Sequence, residues 1–263
     1  MDDRDGPLFS IVIACLNAEA HIAEALESVL GQDHPSFEVV VVDGGSTDAT
    51  LAIIRDHADR ACGRLTWSAE PDEGVYDAMN RGLGRARGRY VVFLGADDRM
   101  AAGALGAVER VVQQHDYPEI VCGATRVFGA AEPWIQKARS FRTGTRLPKR
   151  PPSTHQSVFV SREALVAVGG FDTRYRIAAD YEAYLKLVEH GAREVLLDEV
   201  LSEFRLGGLS SRSTVATARD YRDVRIAHGA NPVLEQLVTL KSIAAGVVVG
   251  RSRGVHRARR DAR

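Results

Sequence analysis

Cysteine is scarce in this chain: Cys15, Cys62 and Cys122 are the only three in 263 residues. An odd count, with no Cys-x-x-Cys pair and no histidine at ligand spacing, excludes a disulfide framework and a structural zinc site. Cys15 and Cys122 fall in apolar runs, where a free thiol packs as a small hydrophobe, and a reducing compartment is expected. Long apolar runs are missing too. The longest late one, Ile243 to Val249, is far short of the roughly 20 residues a membrane-spanning helix needs. The opening Met1-Asp2-Asp3-Arg4-Asp5 is acidic where a signal peptide is basic, so a cytoplasmic protein is expected. With 45% hydrophobic residues, 24 Gly and 9 Pro, the composition is neither collagen-like nor disordered. A net charge of −1 argues against a nucleic-acid binder held by bulk electrostatics. That balance conceals an asymmetry, because residues 251–263 carry six Arg and one Asp and the preceding 250 residues sum to −6.

The first hundred residues alternate between short apolar runs and helical patterns. Phe9 to Ala14, Phe37 to Val42 and Tyr90 to Leu94 are β-branched and almost continuously hydrophobic, as in parallel strands covered on both faces. Leu65 to Ala69 is a weaker strand. Helices are expected at about His21–Gly31, Asp48–Ala61 and Val75–Ala86, the first with Ile22, Leu26, Val29 and Leu30 on one face. Strand, helix, strand repeated three times implies right-handed crossovers and a doubly wound, mostly parallel α/β sheet flanked by helices.

Ligands of such sheets sit at the carboxyl ends of the strands. Those ends read Leu16-Asn17, Asp43-Gly44-Gly45-Ser46-Thr47-Asp48, Glu70-Pro71-Asp72-Glu73-Gly74 and Gly95-Ala96-Asp97-Asp98, and three of the four are rich in carboxylates. Adjacent carboxylates repel each other, and a divalent cation relieves them; oxygen-only ligation favours Mg²⁺ or Mn²⁺ shared with substrate phosphates. The plainer alternative has Asp97 capping a helix that starts near Ala101 and Asp98 solvated. Asp43 at a strand end can accept from a base N–H or a ribose hydroxyl, or can simply anchor a turn. Gly82, Gly84 and Gly88 have the wrong spacing for a dinucleotide fingerprint, and the chain has no GxxxxGK[ST] loop, so NAD and P-loop readings are set aside.

Beyond Asp98 the expected elements are a helix at Ala101–His115, strands at Glu119–Cys122, Thr125–Phe128 and Ser157–Val160, and a short helix at Arg162–Val168. A helix at Ala179–His190 and strands at Val195–Leu197 and Leu201–Arg205 follow. Trp134 to Thr154 reads as an irregular functional segment. Asp180, near the start of its helix, is either a general base or a first-turn carboxylate favoured by the helix dipole. His155 is either a metal or phosphate contact or a loop hydrogen-bonder. An amphipathic element at Pro232–Val249 runs into the arginine tail, which is either solvated or a peripheral anchor at the inner face of the plasma membrane.

The order of Ile11-Val12-Ile13-Ala14-Cys15-Leu16-Asn17, Val41-Val42-Asp43-Gly44-Gly45-Ser46-Thr47-Asp48, Gly74-Val75-Tyr76-Asp77-Ala78-Met79-Asn80 and Phe93-Leu94-Gly95-Ala96-Asp97-Asp98 resembles family-2 glycosyltransferases of the GT-A fold. His155-Gln156, Gly169-Gly170-Phe171-Asp172, Ala179-Asp180-Tyr181 and Gly207-Gly208-Leu209-Ser210 resemble one bacterial branch, whose members act in colanic-acid and phenolic-glycolipid assembly. The resemblance spans roughly Phe9 to Arg205. It implies a GT-A catalytic domain over residues 1–210, followed by C-terminal helices and the arginine tail over 211–263. It also implies residue roles: Asn17 on the first nucleotide loop, Asp43 holding the base, Asp77 and Asn80 lining the donor pocket, Asp97 meeting the ribose, Asp98 binding the metal, and Asp180 as catalytic base. The family's acidic pair before the base helix often reads Glu-Asp. Here Ala179 precedes Asp180, which would act alone or with Glu182.

The expectation is an inverting, metal-dependent, hexosyltransferase-type enzyme. It would move a single sugar from a nucleoside-diphosphate sugar to a glycan, glycolipid or small hydroxyl acceptor. Two rivals stand beside it. A sugar-nucleotide pyrophosphorylase should open with a basic Gly-rich loop, where this chain has Leu16-Asn17-Ala18-Glu19. A catalytically silent sugar-nucleotide binding protein would have no need of Asp98 and Asp180 together.

Overall fold

The computed structural model describes residues 6–129, 132–141, 147–148, 151–207, 214–241 and 243. The expected alternation is present. Strand β1 (Phe9–Cys15) leads to α1 (Ile22–Leu30), β2 (Phe37–Asp43), α2 (Thr50–Arg60), β3 (Leu65–Ala69), α3 (Val75–Arg85) and β4 (Tyr90–Gly95). The four strands lie parallel in the order β3-β2-β1-β4. Successive side chains of a strand point to opposite faces, and both faces are buried. Val12, Val40, Val42 and Phe93 belong to one core with Tyr76, Met79 and Tyr184. Ile11, Ile13, Val39, Val41 and Leu94 belong to the other with Leu26, Ile54 and Leu105. Helix α3 approaches the sheet closely at Gly82, where an added Cβ would lie 2.3 Å from Cγ1 of Val12.

The second half turns the sheet mixed. After β5 (Arg99–Met100) and α4 (Ala104–Gln114) come β6 (Ile120–Phe128), β7 (Trp134–Gln136), a single 3₁₀ turn at His155–Ser157, β8 (Val158–Ser161), α5 (Arg162–Ala167), α6 (Ala179–Glu189) and β9 (Glu194–Arg205). Strand β8 runs antiparallel to both β4 and β6, whereas β9 runs parallel to β6 and takes β5 on its far side. Where the sequence reads two strand pairs there are two long strands. The β6–β9 register shifts between Cys122 and Thr125, around Gly123, whose missing side chain admits Leu201. Strand β7 orders part of the segment expected to be irregular.

The C-terminal region is helical at α7 (Thr214–Ala227) and again over 232–241. No helix among the described residues is long and apolar enough to cross a membrane. The arginine tail, Gly208-Leu209-Ser210 and most of the Ile243 to Val249 stretch lie outside the described residues.

Candidate active site

Register brings the chemistry to one rim. Cys15 pairs with Asp43 and Ala14 with both Val42 and Gly95, so β1, β2 and β4 end side by side and release their loops together. The first two loops are tied to each other. The Asn17 side chain accepts from the Thr47 amide at 2.9 Å, and the Asn17 amide donates to the Ser46 hydroxyl at 2.7 Å. Asn17 takes φ 49° to do so, a left-handed conformation that Asn tolerates better than most residues.

Asp98 is 2% exposed. One carboxylate oxygen accepts from the Gln156 side-chain amide at 2.7 Å, the other from the Arg205 backbone amide at 2.9 Å. The second contact exists because β5 docks on the end of β9, laying Arg205 against the loop. Burial pushes the Asp98 carboxyl up to about 6; the Arg205 amide pulls it down, the neighbouring Asp97 charge adds to the rise, and Gln156 and His155 offset part of it. Asp97 is half-buried and its carbonyl accepts from the Arg205 guanidinium at 3.2 Å. It caps no helix: α4 starts later, at Ala104, behind the left-handed Gly103.

Asp180 is 7% exposed. It is a first-turn residue of α6 and not its cap, which is Ala178. Its Oδ1 accepts from the Tyr76 hydroxyl at 3.0 Å, and Nδ1 of His155 stands 3.3 Å from its Oδ2. Burial alone would lower the His155 pKa; the hydrogen bond to Asp180, with the charges of Asp180, Asp98 and Asp97, raises it instead. The turn at His155–Ser157 therefore touches both acids, His155 reaching Asp180 and Gln156 reaching Asp98. Behind it the hydroxyl of Ser157 bonds those of Thr125 and Ser202 at 2.7 and 2.6 Å, fixing the turn against β6 and β9.

The remaining expected site residues are engaged with neighbouring groups. The Asp43 carboxylate is fully buried, accepting from the amides of Gly45 and Ser46 at 2.9 and 2.7 Å and from the Ser46 hydroxyl and the Cys15 thiol. In this arrangement it holds its own turn, and a nucleotide base would have to displace one of those partners. Asp77 accepts from the Glu73 amide and pairs with Arg81 at 2.8 Å. Asn80, expected to line the donor pocket, is engaged with the chain before α6. Its carboxamide donates to the Phe171 carbonyl at 2.7 Å and accepts from the Phe171 amide at 2.9 Å, so it clamps the Gly169-Gly170-Phe171 loop. Glu182 is no partner of Asp180 either, being buried in an ion pair with Lys186 at 2.7 Å.

Sequence reasoning missed Gln156, Tyr76 and Arg205 as members of the site. Gln156 and Tyr76 stood inside quoted motifs, yet amides and phenols are so often structural that residue type alone did not mark them. Arg205 closed a strand, with nothing local to signal that its amide would meet Asp98.

Among the described residues no three His, Cys, Asp or Glu side chains converge as a metal-holding group. A Mg²⁺- or Mn²⁺-type ion bound together with a diphosphate asks less, one or two carboxylates and hard oxygen donors. The residues present fit that requirement. Asp98 is a buried carboxylate beside a second one, and Oε1 of Gln156, on the same carboxamide that contacts Asp98, is buried without a hydrogen-bond partner.

Comparison with known proteins gives the family. The glycosyl transferase family 2 model matches residues 10–176. A PGL/p-HBAD biosynthesis glycosyltransferase of Mycobacterium tuberculosis is 35% identical over 213 residues, covering 78% of this chain and 80% of its own. EpsE of Bacillus subtilis, named as a glycosyltransferase, is 25% identical over 77% of this chain and 74% of its own. Among solved structures, a mannosyltransferase from Pyrobaculum calidifontis in complex with GDP-Man and Mn²⁺ superposes with TM-score 0.68 at 19% identity, over 95% of this chain and 77% of that one. S. aureus TarS 1–349 in complex with UDP-GlcNAc superposes with TM-score 0.65 at 19% identity, over 89% and 71%. A further S. aureus TarS chain is longer, and this chain covers 42% of it. At such identities the superpositions speak for the fold alone, which is that of the GT-A enzymes. The family-model match and the mycobacterial relative carry the rest: this chain belongs to glycosyl transferase family 2.

Proposed function

We propose that the protein is an inverting glycosyltransferase that moves one sugar from a nucleoside-diphosphate sugar to a hydroxyl acceptor in glycolipid or cell-surface polysaccharide assembly. The observation that carries this is one short turn that bonds two buried acids, Gln156 to Asp98 and His155 to Asp180, with Asp97 next to the first. We read Asp97 and Asp98 as the phosphate-side pair and Asp180 as a lone base. Glycoside hydrolases instead use two carboxylates flanking one bond. Asp180 takes the proton of the acceptor hydroxyl as that oxygen bonds to the anomeric carbon. The bond to the diphosphate breaks on the opposite face, and the nucleoside diphosphate departs with the electron pair. Oδ2 of Asp180 has a second lone pair for that proton beside its His155 contact, while Tyr76 keeps Oδ1 oriented.

Asp98, with Asp97 and Oε1 of Gln156 near it, would hold Mg²⁺ or Mn²⁺. Such an ion supplies positive charge where the leaving diphosphate develops its negative charge. Asn17 and Asp43 shape the loops that would receive the nucleotide. Residues 1–210 form the catalytic unit and 211–263 an appendage to it. The names of the mycobacterial relatives support a glycolipid acceptor, and the nucleotide-sugar complexes of the structural neighbours support a UDP- or GDP-linked donor.

The test is a transfer and donor-hydrolysis screen over UDP-, GDP- and dTDP-sugars with and without Mn²⁺, read beside calorimetric donor binding. Metal-dependent release of nucleoside diphosphate, lost in Asp180→Asn with donor binding kept and lost in Asp98→Ala together with binding, is the expected pattern. Donor binding without release or transfer under any condition would support the silent-binder reading.

A further inference from the structure

The helix over 232–241 is mounted with its apolar side outward. Val233, Leu234, Leu237 and Leu240 are 70%, 61%, 52% and 55% exposed. They recur at i, i+1, i+4 and i+7, one continuous stripe of a helix. The side turned to the protein is the polar one. Glu235 bonds the guanidinium of buried Arg225 on α7 at 2.7 Å, Gln236 accepts from Arg222 at 3.1 Å, and Thr239 is buried. A helix docked on its own domain normally buries its apolar stripe and shows its polar one to water. Four large aliphatic side chains on one exposed stripe mark a surface that something else covers.

We infer that this stripe docks on an anionic lipid surface. Two features select that occupant over a protein groove. In the sequence the stripe is followed by Lys241, then by Ile243, Val247, Val248 and Val249, and then by the six arginines of residues 251–263. Apolar residues followed by a cluster of cations are the pairing that inserts side chains at the level of the acyl chains and sets charge against phosphate headgroups. The rest of the chain is acidic, summing to −6 over the first 250 residues. A negatively charged membrane would repel that body, so binding through the C-terminal end also orients the molecule. The apolar run is too short to span a bilayer, which makes the contact peripheral. The inference does not depend on which sugar is moved or on whether turnover occurs.

The experiment is vesicle flotation of the full chain with liposomes of about 30% phosphatidylglycerol in phosphatidylcholine, against pure phosphatidylcholine, at low and high salt. The wild-type protein should float with the anionic vesicles and release as salt rises. The double variant Leu234→Gln/Leu237→Gln should lower the vesicle partition coefficient at least about tenfold, because each lost aliphatic group removes part of the insertion. Both positions are exposed, so circular dichroism and melting should match wild type. Replacing the six tail arginines by glutamine should abolish the preference for anionic vesicles. Light scattering provides the counter-arm. A wild-type dimer that the double variant breaks, with no flotation, would show that a second copy covers the stripe and would overturn the inference. Equal flotation of wild type and double variant would overturn it as well.

Discussion

Nδ1 of His155 lies 3.3 Å from Oδ2 of Asp180, and the next residue, Gln156, donates to Asp98 at 2.7 Å. The acid read as the base and the acid read as the phosphate-side group are thus held from one turn. Asp180→Asn keeps the side-chain size and the Tyr76 bond while removing the proton acceptor. Turnover should fall by about 10²–10⁴-fold with donor affinity unchanged. Paired steady-state kinetics and calorimetry check this, and unchanged turnover would remove Asp180 from the chemistry.

Asp98 links site and stability. Burial lifts its carboxyl to about 6 from the ordinary 3.8. Between roughly pH 4 and pH 6 the folded chain keeps a proton that the unfolded chain has lost, so this group's contribution to stability falls as pH rises through that window and stays low above it. Asp98→Asn never ionises, and a flip of the Gln156 amide would satisfy the new donor. In the presence of a chelator the variant should be more stable than wild type at pH 7.5 by about 1–3 kcal/mol, the gap closing near pH 4. Urea unfolding at the two pH values measures it; a gap of the same size at both would contradict the assignment.

Tyr76 donates to Asp180 across the interface of α3 and α6 and also lies 2.9 Å from the Ile177 carbonyl. Tyr76→Phe should cost about 0.5–1.5 kcal/mol of stability. If the hydroxyl orients the base, kcat should drop severalfold with donor KM unchanged. A stability loss with full kcat would leave Tyr76 a packing residue only.

Asn80→Ala strips both main-chain groups of Phe171 of their partner. A loss of about 1–3 kcal/mol is expected, with donor Kd near wild type at temperatures where the variant is folded. A selective loss of donor affinity at unchanged melting temperature would instead return Asn80 to the donor pocket.

Gly82→Ala tests the close approach of α3 to the sheet. The new Cβ would meet Val12 at 2.3 Å, inside contact distance. Alanine normally stabilises a helix relative to glycine, so the predicted drop of about 1–3 kcal/mol, read by thermal melting, comes from overpacking alone. An increase in melting temperature would show that α3 can back away from β1.

Much of the first half was legible because one physical rule dominates it. A parallel strand buried on both faces is a continuous β-branched run, and Phe9–Cys15, Phe37–Asp43 and Tyr90–Gly95 each begin where their runs begin and end one residue later than read. The second half obeys no such local rule. The two-residue β5 and the short β7 are fixed by pairing with distant partners, and α7 has too mixed a composition to announce itself; β8 was expected as a strand, but not its antiparallel place between β4 and β6. At the site, carboxylates stood out by charge and position. Whether a carboxylate bonds a distant segment, as Asp98 and Asp180 do at the His155 turn, or closes on its own loop, as Asp43 does, depends on which donors the fold brings to it. So does the orientation of Asn80 toward Phe171. That information is in the packing of α3 against the segment before α6, some ninety residues away.

The 3₁₀ turn at His155–Ser157 is only three residues long and is pinned from behind by the hydroxyls of Thr125 and Ser202. A piece of backbone that short and that braced has little freedom of its own, so the imidazole and the carboxamide it carries keep one spacing. Loosening the brace from behind would therefore disturb both acids together rather than either one alone.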